Sequence, residues 1–579
     1  MTMTGLSSSN KKKRGSRSRT GCWTCRIRKV KCDEARPICR RCSSTGRGCD
    51  GYELQPVDVR EVARKTERQL RAKTLQHSNV PPLGLSLRLD CSLHLSVAEA
   101  RGFDFFRRST SREAPGFFES DLWSSLILQL CHIEPAILHA AVAVGSLHSQ
   151  YRGTSPSLQL QPFSIFEGQH AFAIRQYVKA LGHLRHRLSS QDSSSNAEVA
   201  LICCLLFMCL EMLQGNRVGV MAHLRTGLRV LSGIPSQINR NYEAGVTSLV
   251  VKDRADSLLD QLTTMFGRLD LESTTFGGER APTLRLSLDS GMSESTLSVF
   301  SIPTMFSSTE EAKLYLNVLC NRALHVRGEL LRRAAGEVGE DKGDWATHYC
   351  LEHATARTVD ISRDPTLQGQ LEKVQTDLSC WLTAFKSYAA LRAEIQTTEV
   401  RSATLLEIQH FFIFFQVITC RQTTEVDCDR FNALFRRIVS LAAEIESTLG
   451  LTFTIEPGVI PSLYLIALKC RDPNIRRQAI SLLYRRACQE GMWEGKLIAK
   501  FMDQVADWEE TLAGTGTGTG TGPVSPITSS MQVPETSRFC DVTLAASEDP
   551  GRGRIICARY LHESSGELVV SERVFSIED

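Results

Sequence analysis

The sequence lacks most of the features that mark enzymes, secreted proteins and membrane proteins. The metalloprotease motif HExxH, the hydrolase motif GxSxG and the Walker A phosphate loop are absent from its 579 residues. The amino-terminal stretch MTMTGLSSSNKKKR has no apolar core of the kind that a secretory signal requires. The longest apolar run, Val199–Leu210, has 12 residues, whereas a helix that spans a bilayer needs roughly 20. We therefore expect an intracellular protein that is neither an enzyme nor inserted in a membrane.

Charge and cysteine are concentrated at one end of the chain. The formal net charge is +4, but residues 1–50 hold 14 Lys and Arg against 3 Asp and Glu, so this head carries +11 and the remaining residues carry −7. Six of the 20 cysteines fall between Cys22 and Cys49, and most of the others stand singly in apolar surroundings. Buried thiols of that kind suit a reducing compartment. A short basic head rich in cysteine therefore precedes a long, mildly acidic body.

The body, from about residue 97 to 510, has apolar residues at helical spacing almost throughout, which predicts a mostly α fold. The segments Leu201–Leu213 and Leu405–Phe415 are apolar on nearly every side and should form central helices. One amphipathic face steps by three and four residues through Phe431, Leu434, Ile438, Leu441 and Ile445.

Three further segments interrupt or follow the helical pattern. The Gly-, Ser- and Thr-rich region near 273–300 predicts a loop between helical layers. The repeat GTGTGTGTG at 514–522 predicts a flexible linker. Beyond it, Arg554–Leu561 and Glu567–Ile577 flank Ser-Ser-Gly and predict a β-hairpin, so we expect a small β appendage on the helical body.

The six clustered cysteines form the pattern C-x2-C-x6-C-x6-C-x2-C-x6-C, in which each cysteine of the first half recurs 17 residues later. Their positions are Cys22, Cys25, Cys32, Cys39, Cys42 and Cys49. Zinc prefers four ligands, and C-x2-C is its usual chelating pair. Because two separate tetrahedral sites would need eight thiolates, either two thiolates bridge a pair of metal ions or a single zinc binds. Three disulfides are the remaining alternative, and a reducing compartment argues against it.

The stretch GCWTCRIRKVKCDEARPICRRCSSTGRGC resembles the fungal Zn2Cys6, or zinc binuclear cluster, DNA-binding domain over the whole length of that domain. The resemblance implies two Zn²⁺ ions bridged by Cys22 and Cys39. It also implies that Arg28 and Lys29 contact bases in the major groove. The remaining cations around the cluster are interpreted as phosphate contacts, and they are Arg26, Lys31, Arg40 and Arg41.

Charge supports this interpretation independently of the resemblance. Two Zn²⁺ and six thiolates sum to −2, a charge that nearby cations can offset. Of the two corresponding six-residue segments that follow C-x2-C in each repeat, RIRKVK is densely basic whereas SSTGRG is not. The half of the cluster that carries RIRKVK is therefore expected to face double-stranded DNA. The preceding basic run, Lys11, Lys12, Lys13 and Arg14, resembles a nuclear-import signal, so we expect the protein in the nucleus.

The body also contains stretches that resemble the regulatory regions of fungal zinc-cluster transcription factors. These are Phe103–Arg107, Glu211–Asn216 with His223-Leu224, and Lys469–Pro473. Together with the cluster they imply a fungal-type transcription factor that recognises CGG-type triplets, an activator on family grounds, with regulation of a specialised metabolic pathway a further expectation. Dimerisation through a helix at Asp58–Leu75 has weak sequence support, because only Val59 and Val62 of its four seam positions are apolar. The residues show no effector site.

Two other classes of function remain open from the sequence. An enzyme with an accessory zinc module would need a catalytic constellation in the body, and none of the motifs sought occurs there. A zinc-built adaptor for protein partners would not need the dense Arg and Lys around the cysteines. The transcription factor is therefore the favoured hypothesis.

The expected architecture is mostly α, with a small Zn2Cys6 domain, a flexible linker, a large helical regulatory domain and a small carboxy-terminal β appendage. Its expected limits are a disordered basic tail at 1–20, the cluster at 21–52, a linker at 53–96, the helical domain at 97–510, a low-complexity linker at 511–538 and the β segment at 539–579.

The cysteine repeat generates a direct prediction about metal content. We expect residues 1–60 to bind two zinc ions, because only bridging thiolates satisfy two tetrahedral ions with six cysteines. Native mass spectrometry of the zinc-loaded fragment measures the number. A single bound ion would rule out the bridged arrangement.

Overall fold

A computed structural model provides the fold of the chain. It describes residues 30, 32–33, 39–45, 95–153, 167–189, 193–241, 246–252, 255–276, 280–289, 301–338, 344–392, 397–446, 450–486, 488–515, 527–547, 549, 551–561 and 567–577. The chain divides into two compact units, Met1–Leu87 and Arg88–Asp579. The described part of the first unit contains one short helix, α1 (Arg40–Ser43). The predicted linker helix at Asp58–Leu75 lies outside the described residues.

The second unit is built mainly from helices, as the apolar spacing predicts. In chain order they are α2 (Val97–Phe105), α3 (Ser111–Glu113), α4 (Ile127–Cys131), α5 (Pro135–Gly153), α6 (Glu167–Leu188), α7 (Ser193–Leu213), α8 (Arg217–Ser232), α9 (Leu258–Phe276), α10 (Thr309–Val338), α11 (Trp345–Thr355), α12 (Pro365–Arg392), α13 (Thr397–Thr419), α14 (Asn432–Glu446), α15 (Ile460–Lys469), α16 (Pro473–Arg485) and α17 (Gly495–Thr515). Short π-helical turns follow α2 and precede α4, and short 3-10 turns precede α14 and lie between α17 and the carboxy-terminal strands.

Helix starts follow from local side chains that satisfy the first backbone N–H groups. Ser96 and Glu99 form a reciprocal capping box at the start of α2. The Asp344 carboxylate accepts the Thr347 N–H at 3.0 Å before α11. Asp472 does the same for α16, where Pro473 occupies the first helical position. These starts require only local sequence.

The two helices predicted to be central are indeed buried. In α7 every residue from Val199 to Met212 is buried, and α7 packs against α5, α6 and α8. In α13 the buried set includes Leu405, Ile408 and Phe415. By length and hydropathy alone, Asn196–Leu213 and Val400–Thr419 could cross a membrane, but 83% and 50% of these windows are buried inside the fold. Their hydrophobicity is therefore explained by packing in the core.

Three small sheets accompany the helices. The first contains β1 (Ile238–Asn241), β2 (Val246–Lys252) and β3 (Arg285–Asp289), with β1 antiparallel and β3 parallel to β2. The second contains three two-residue strands, β4 (Phe453–Thr454), β5 (Gln489–Glu490) and β6 (Trp493–Glu494). The third contains β7 (Asp541–Ala546), β8 (Arg552–Tyr560) and β9 (Leu568–Ser576) as an antiparallel meander.

The third sheet confirms the predicted carboxy-terminal β appendage. β8 and β9 pair in the register Tyr560↔Leu568, which is the expected hairpin. The strand β7 was missed, and it pairs with β8 on the other side. The face that includes Ile556 and Ala558 packs on α11.

The loop predicted near 273–300 is wrong for part of that region. Helix α9 continues to Phe276, and β3 forms at Arg285–Asp289. The reason is tertiary: the Asn321 side chain accepts the Leu286 N–H and donates to the Leu284 carbonyl, both at 2.9 Å. Such a contact, made 35 residues away along the chain, leaves no trace in local composition.

The stretch predicted as the 511–538 linker also contains packed residues. Helix α17 extends to Thr515, and Ser530–Gln532 and Glu535–Ser537 form 3-10 turns. Glu535 and Arg538 are both buried. This segment is therefore part of the folded unit from residue 527 onward.

A buried network of charges anchors this segment to the helices. Arg471, between α15 and α16, donates to Glu425 at 2.9 Å and to Glu509 on α17 at 2.6 Å. The same guanidinium donates to the Phe539 carbonyl, while the Phe539 N–H donates to Glu509. All three charged side chains are at most 1% exposed. Three helices and the approach to β7 thus meet at one ion cluster.

The electrostatic balance of the network depends on its cations. Burial alone would raise the pKa of Glu425, but Lys469, Arg357 and Arg471 outweigh it and lower that pKa below its usual range. Burial opposes ionisation of Glu509 as well, and Arg471 and Arg476 again lower the pKa. Both carboxylates are therefore ionised only because cations surround them.

Removal of Arg471, the central cation of this network, should destabilise the fold. We expect Arg471→Ala to lower the free energy of unfolding by about 3–5 kcal/mol, because it removes the cation shared by two fully buried carboxylates. Urea denaturation followed by circular dichroism measures the change. As a control, Arg477→Ala removes a cation that is 41% exposed and pairs with Asp503, Asp507 and Glu510, and it should cost at most about 1 kcal/mol. Equal effects of the two substitutions would contradict this role for Arg471.

Candidate metal centre and nucleic-acid interface

The described part of the cysteine-rich head brings three thiols together. Cys32, Cys39 and Cys42 are 5%, 0% and 0% exposed and contact one another, with Val30 against them. The Sγ atoms of Cys32 and Cys39 and a carboxylate oxygen of Asp33 lie within 4.8 Å of one another. A cluster with so little apolar material needs a further source of stability, which metal–sulfur bonds supply in small domains.

Helix α1 positions two of these cysteines by local geometry. Cys39 is its N-cap residue, and its Sγ accepts the Cys42 N–H at 3.3 Å. An N–H group directed at sulfur stabilises a thiolate, as does the positive end of a helix. The C-x2-C spacing then places both side chains at the amino-terminal turn. The chelating pair recognised in the sequence is therefore folded as a pair.

Asp33 holds the start of the same helix. Its two carboxylate oxygens accept the N–H groups of Arg40 and Arg41 at 3.0 and 2.9 Å. Because Asp33 directly follows Cys32, this contact fixes the third cysteine of the repeat beside the fourth and fifth. The sequence analysis missed Asp33, although an acidic residue next to a ligand cysteine is the signal that could have found it.

The side chains of Arg40 and Arg41 point away from the thiols. Both residues are exposed, whereas Cys39 and Cys42 on either side are buried. Helix α1 therefore separates sulfur on its inner face from positive charge on its outer face. An exposed guanidinium pair over a metal cluster can neutralise phosphate groups.

The other predicted site residues lie outside the described residues. This applies to the zinc ligands Cys22, Cys25 and Cys49, to the DNA contacts Arg26, Arg28, Lys29 and Lys31, and to the import run Lys11–Arg14. Among the predicted site residues, the structure brings together Cys32, Cys39, Cys42, Arg40 and Arg41.

The described donors fit zinc. Two thiolates that share one tetrahedral zinc at Zn–S distances of about 2.3 Å lie roughly 3.8 Å apart, which is compatible with the 4.8 Å limit observed between the Cys32 and Cys39 ligand atoms. Zinc favours sulfur donors, and buried thiols beside a helix N-terminus supply them. When bound, the metal would cross-link the two halves of the repeat.

The family-like stretches of the body have structural roles. Lys469 and Arg471 belong to the buried charge network, and Asp472 caps α16. Gly215 has φ +68° in the tight turn between α7 and α8, a conformation that favours glycine. The Glu211 carboxylate accepts from Asn216 at 2.8 Å across that turn, so Glu211 is a paired structural carboxylate.

Comparison with known families covers both units. The Fungal Zn(2)-Cys(6) binuclear cluster domain matches residues 20–56, and the Fungal specific transcription factor domain matches residues 103–460. Since the second match spans more than half of the chain, the protein belongs to the family of fungal specific transcription factors. It is a zinc-binding, DNA-binding regulator of transcription, and these matches do not support the enzyme alternative.

Individual proteins similar to this chain are also named as fungal transcription regulators. The aspercryptin biosynthesis cluster-specific transcription regulator of Emericella nidulans is 24% identical over 589 residues, which cover 86% of this chain and 88% of that protein. A transcription regulator of Purpureocillium lilacinum is 31% identical over 212 residues, 36% of this chain and 47% of that protein. A Zn(2)-C6 fungal-type transcription factor of Aspergillus fumigatus is 31% identical over 143 residues, 24% of this chain and 35% of that protein. No solved structure matches the chain.

The role of Asp33 leads to a prediction about metal affinity. Asp33→Ala should weaken zinc binding by roughly fivefold, or about 1 kcal/mol. In a small domain whose folding is coupled to metal binding, the stability that a helix cap contributes appears as metal affinity. Competition with a chromogenic chelator measures the affinity. Asp33→Asn, which keeps an accepting oxygen, should retain most of it, and Ser44→Ala on the same exposed turn should retain all of it. Unchanged affinity in Asp33→Ala would show that the cap is dispensable.

Proposed function

We propose that this regulator acts in the nucleus and reads DNA through a two-zinc cluster at residues 21–52, without catalysing a reaction. The observation that carries the proposal is the two-sided helix α1, which directs Cys39 and Cys42 inward and Arg40 and Arg41 outward within the matched segment. A metal cluster on one side and cations on the other form a surface suited to the phosphate backbone.

Two Zn²⁺ ions would share the six cysteines. In this arrangement Cys22, Cys25, Cys32 and Cys39 hold one ion, and Cys39, Cys42, Cys49 and Cys22 hold the other. Cys39 is fully buried and accepts an N–H bond at its sulfur, which supports its assignment as a bridging thiolate. Cys22 would be its counterpart in the first half of the repeat.

DNA recognition would divide between the two kinds of cation. Arg28 and Lys29 would donate to guanine O6 and N7 in the major groove and so specify CGG-type triplets. Arg26, Lys31, Arg40 and Arg41 would bind phosphates, which adds affinity without sequence information. The exposure of Arg40 and Arg41 supports this role for the second pair.

The comparisons support a proposal for the wider biological role. The long relative named for aspercryptin biosynthesis covers 86% of this chain, which supports control of a specialised metabolic pathway, and activation is the mode we propose. Lys11–Arg14 would direct nuclear import. A homodimer would bind two triplets, with residues 53–96 setting their separation.

The division between base and phosphate contacts can be tested by paired substitutions in the full-length protein. Lys29→Ala should relax the preference for one base pair at a cost of about 1–3 kcal/mol, with a smaller effect on unrelated DNA. Arg41→Ala should weaken binding to all sequences equally and reduce the slope of log K against log salt by about 0.9. Fluorescence anisotropy over a salt series, on duplexes with every triplet variant, measures both effects.

Two results would contradict this division. If Lys29→Ala lost affinity uniformly across all duplexes, Lys29 would be a phosphate contact. If Arg41→Ala changed the preferred triplet, Arg41 would be a base contact. Wild-type binding that did not depend on salt would overturn DNA recognition by the basic head altogether.

A further inference from the structure

The body contains a pocket of about 250 Å³ that the DNA-binding function does not use. Its wall is formed by residues of α9, α10, α11, α13, α15 and α17, and the strand β7 closes one side. Trp345 belongs to the wall and is 64% exposed, so this side of the pocket reaches solvent. Enclosure by helices and a sheet, with one exposed edge, is typical of small-molecule sites.

Aromatic rings make up much of the pocket wall. Trp493 contacts Phe276 edge to face at 4.8 Å between ring centroids and Tyr464 at 5.4 Å. Phe412 and Phe501 continue the same surface. Rings held in this way favour a flat, apolar occupant that can stack or meet them edge on. The volume lies slightly below the usual range for drug-sized ligands, which points to a molecule of one or two fused rings.

The charged residues of the wall leave an excess of two positive charges. Arg217, Arg327, Arg357 and Lys469 face two acidic residues, Glu425 and Asp541. Glu425 is already engaged by Arg357 and Lys469 at 2.6 and 2.9 Å. Arg217 and Arg327 are the two cations of the wall that do not pair with Glu425.

Neither Arg217 nor Arg327 forms an ion pair within 4 Å of a described acidic group. Burial lowers the pKa of Arg217 to about 10, and the charge of Glu494 opposes this change. Arg217 stacks on Phe276, with 4.2 Å from its Cζ to the ring centroid. Arg327 donates to His353 Nδ1 at 3.2 Å. Burial and the neighbouring Arg327 and Arg280 hold the pKa of His353 well below its usual range, so His353 is neutral and can accept this bond. Arg327 also acts electrostatically on the nearby Asp541, but its hydrogen bond goes to a neutral imidazole. This guanidinium can therefore still bind a carboxylate.

Other groups in the wall also have unused hydrogen-bonding capacity. The Trp493 indole N–H and one carboxylate oxygen of Asp541 have no hydrogen-bond partner among the described residues, and the Thr543 hydroxyl lies beside the Cys350 thiol. Burial, opposed by Lys469, Arg327 and Arg357, raises the pKa of Asp541 to about 7, so near neutral pH this residue is in part a donor. The Trp493 N–H is thus an unmatched buried donor, and a buried donor requires an acceptor.

We propose that this pocket binds a small aromatic carboxylate, whose ring lies among Phe276, Tyr464 and Trp493 and whose carboxylate accepts from Arg327. The site is an effector site of the regulatory domain and goes beyond DNA recognition. Because Asp541 and Thr543 belong to β7, a bound carboxylate contacts both the helices and the carboxy-terminal sheet. Binding therefore changes the contacts that join these two parts.

The test uses the full-length protein labelled with 5-fluorotryptophan, without DNA, so that its outcome is independent of the DNA-binding proposal. The chain has six tryptophans, and Trp493→Phe assigns the resonance of Trp493. Titration with 1-naphthoate should shift that ¹⁹F resonance saturably, whereas the resonance of Trp123, which is fully buried outside the pocket wall, should stay in place. The neutral amide 1-naphthamide, of the same size, should bind at least tenfold more weakly.

Substitutions locate the carboxylate. Arg327→Gln should weaken 1-naphthoate binding at least tenfold, because a charge-assisted bond is replaced by a neutral one. Arg175→Gln, on an exposed part of α6, should leave it unchanged. If Arg327→Gln does not fold, Thr543→Val should still weaken binding severalfold by removing one donor. The proposal is overturned if 1-naphthoate gives no saturable shift at Trp493, if the amide binds equally well, or if binding survives both pocket substitutions.

Discussion

The bond between cysteine sulfur and zinc is the interaction on which DNA recognition by this protein depends. The described part of the head buries three thiols and almost no hydrocarbon, with only Val30 against them. A segment of this size cannot obtain its stability from apolar burial, so metal binding and folding are one process. The helix that carries Arg40 and Arg41 begins at Cys39, and its first N–H groups are bound by Asp33, the residue after Cys32. In the proposed function, these cations would therefore reach DNA in a fixed arrangement only when the sulfurs are held.

In the body, distant segments of the chain are held together by apolar packing and by buried ion pairs. There the apolar core is extensive, and a buried ion cluster joins segments that hydrophobic packing alone would not orient. Arg471, Glu425 and Glu509 connect α15, α16 and α17 to the approach to β7. The same cluster borders the pocket through Glu425 and Lys469. A ligand in that pocket would thus contact the region where helices and sheet are joined, which is the physical basis for an effector acting on the regulatory domain.

Sequence reasoning succeeded where short-range pattern determines structure. Each successful prediction used a pattern contained in about 30 residues or fewer. These patterns are the spacing of the six cysteines, the apolar faces of α7 and α13, and the Ser-Ser-Gly turn between β8 and β9. It failed where one distant side chain decides the outcome. β3 forms because Asn321 satisfies its backbone, and the buried turn at Glu535–Ser537 is held because Glu535 accepts the N–H groups of Glu425 and Val426. Partners separated by 35 to 110 positions cannot be paired from one sequence. Asp33 lies between these two cases. Its position next to a cysteine is visible in the sequence, but its role as the cap of α1 is known only from the fold.

The central claim is that zinc-held cysteines direct basic residues at a specific DNA sequence. The most direct measurement is selection of binding sites from a random DNA library by the full-length protein, once with zinc and once after removal of zinc by a chelator. The account predicts that zinc-loaded protein enriches sequences that share a CGG-type triplet, and that the metal-free protein enriches none. Equal enrichment with and without zinc, or no common triplet in the zinc-loaded selection, would contradict it.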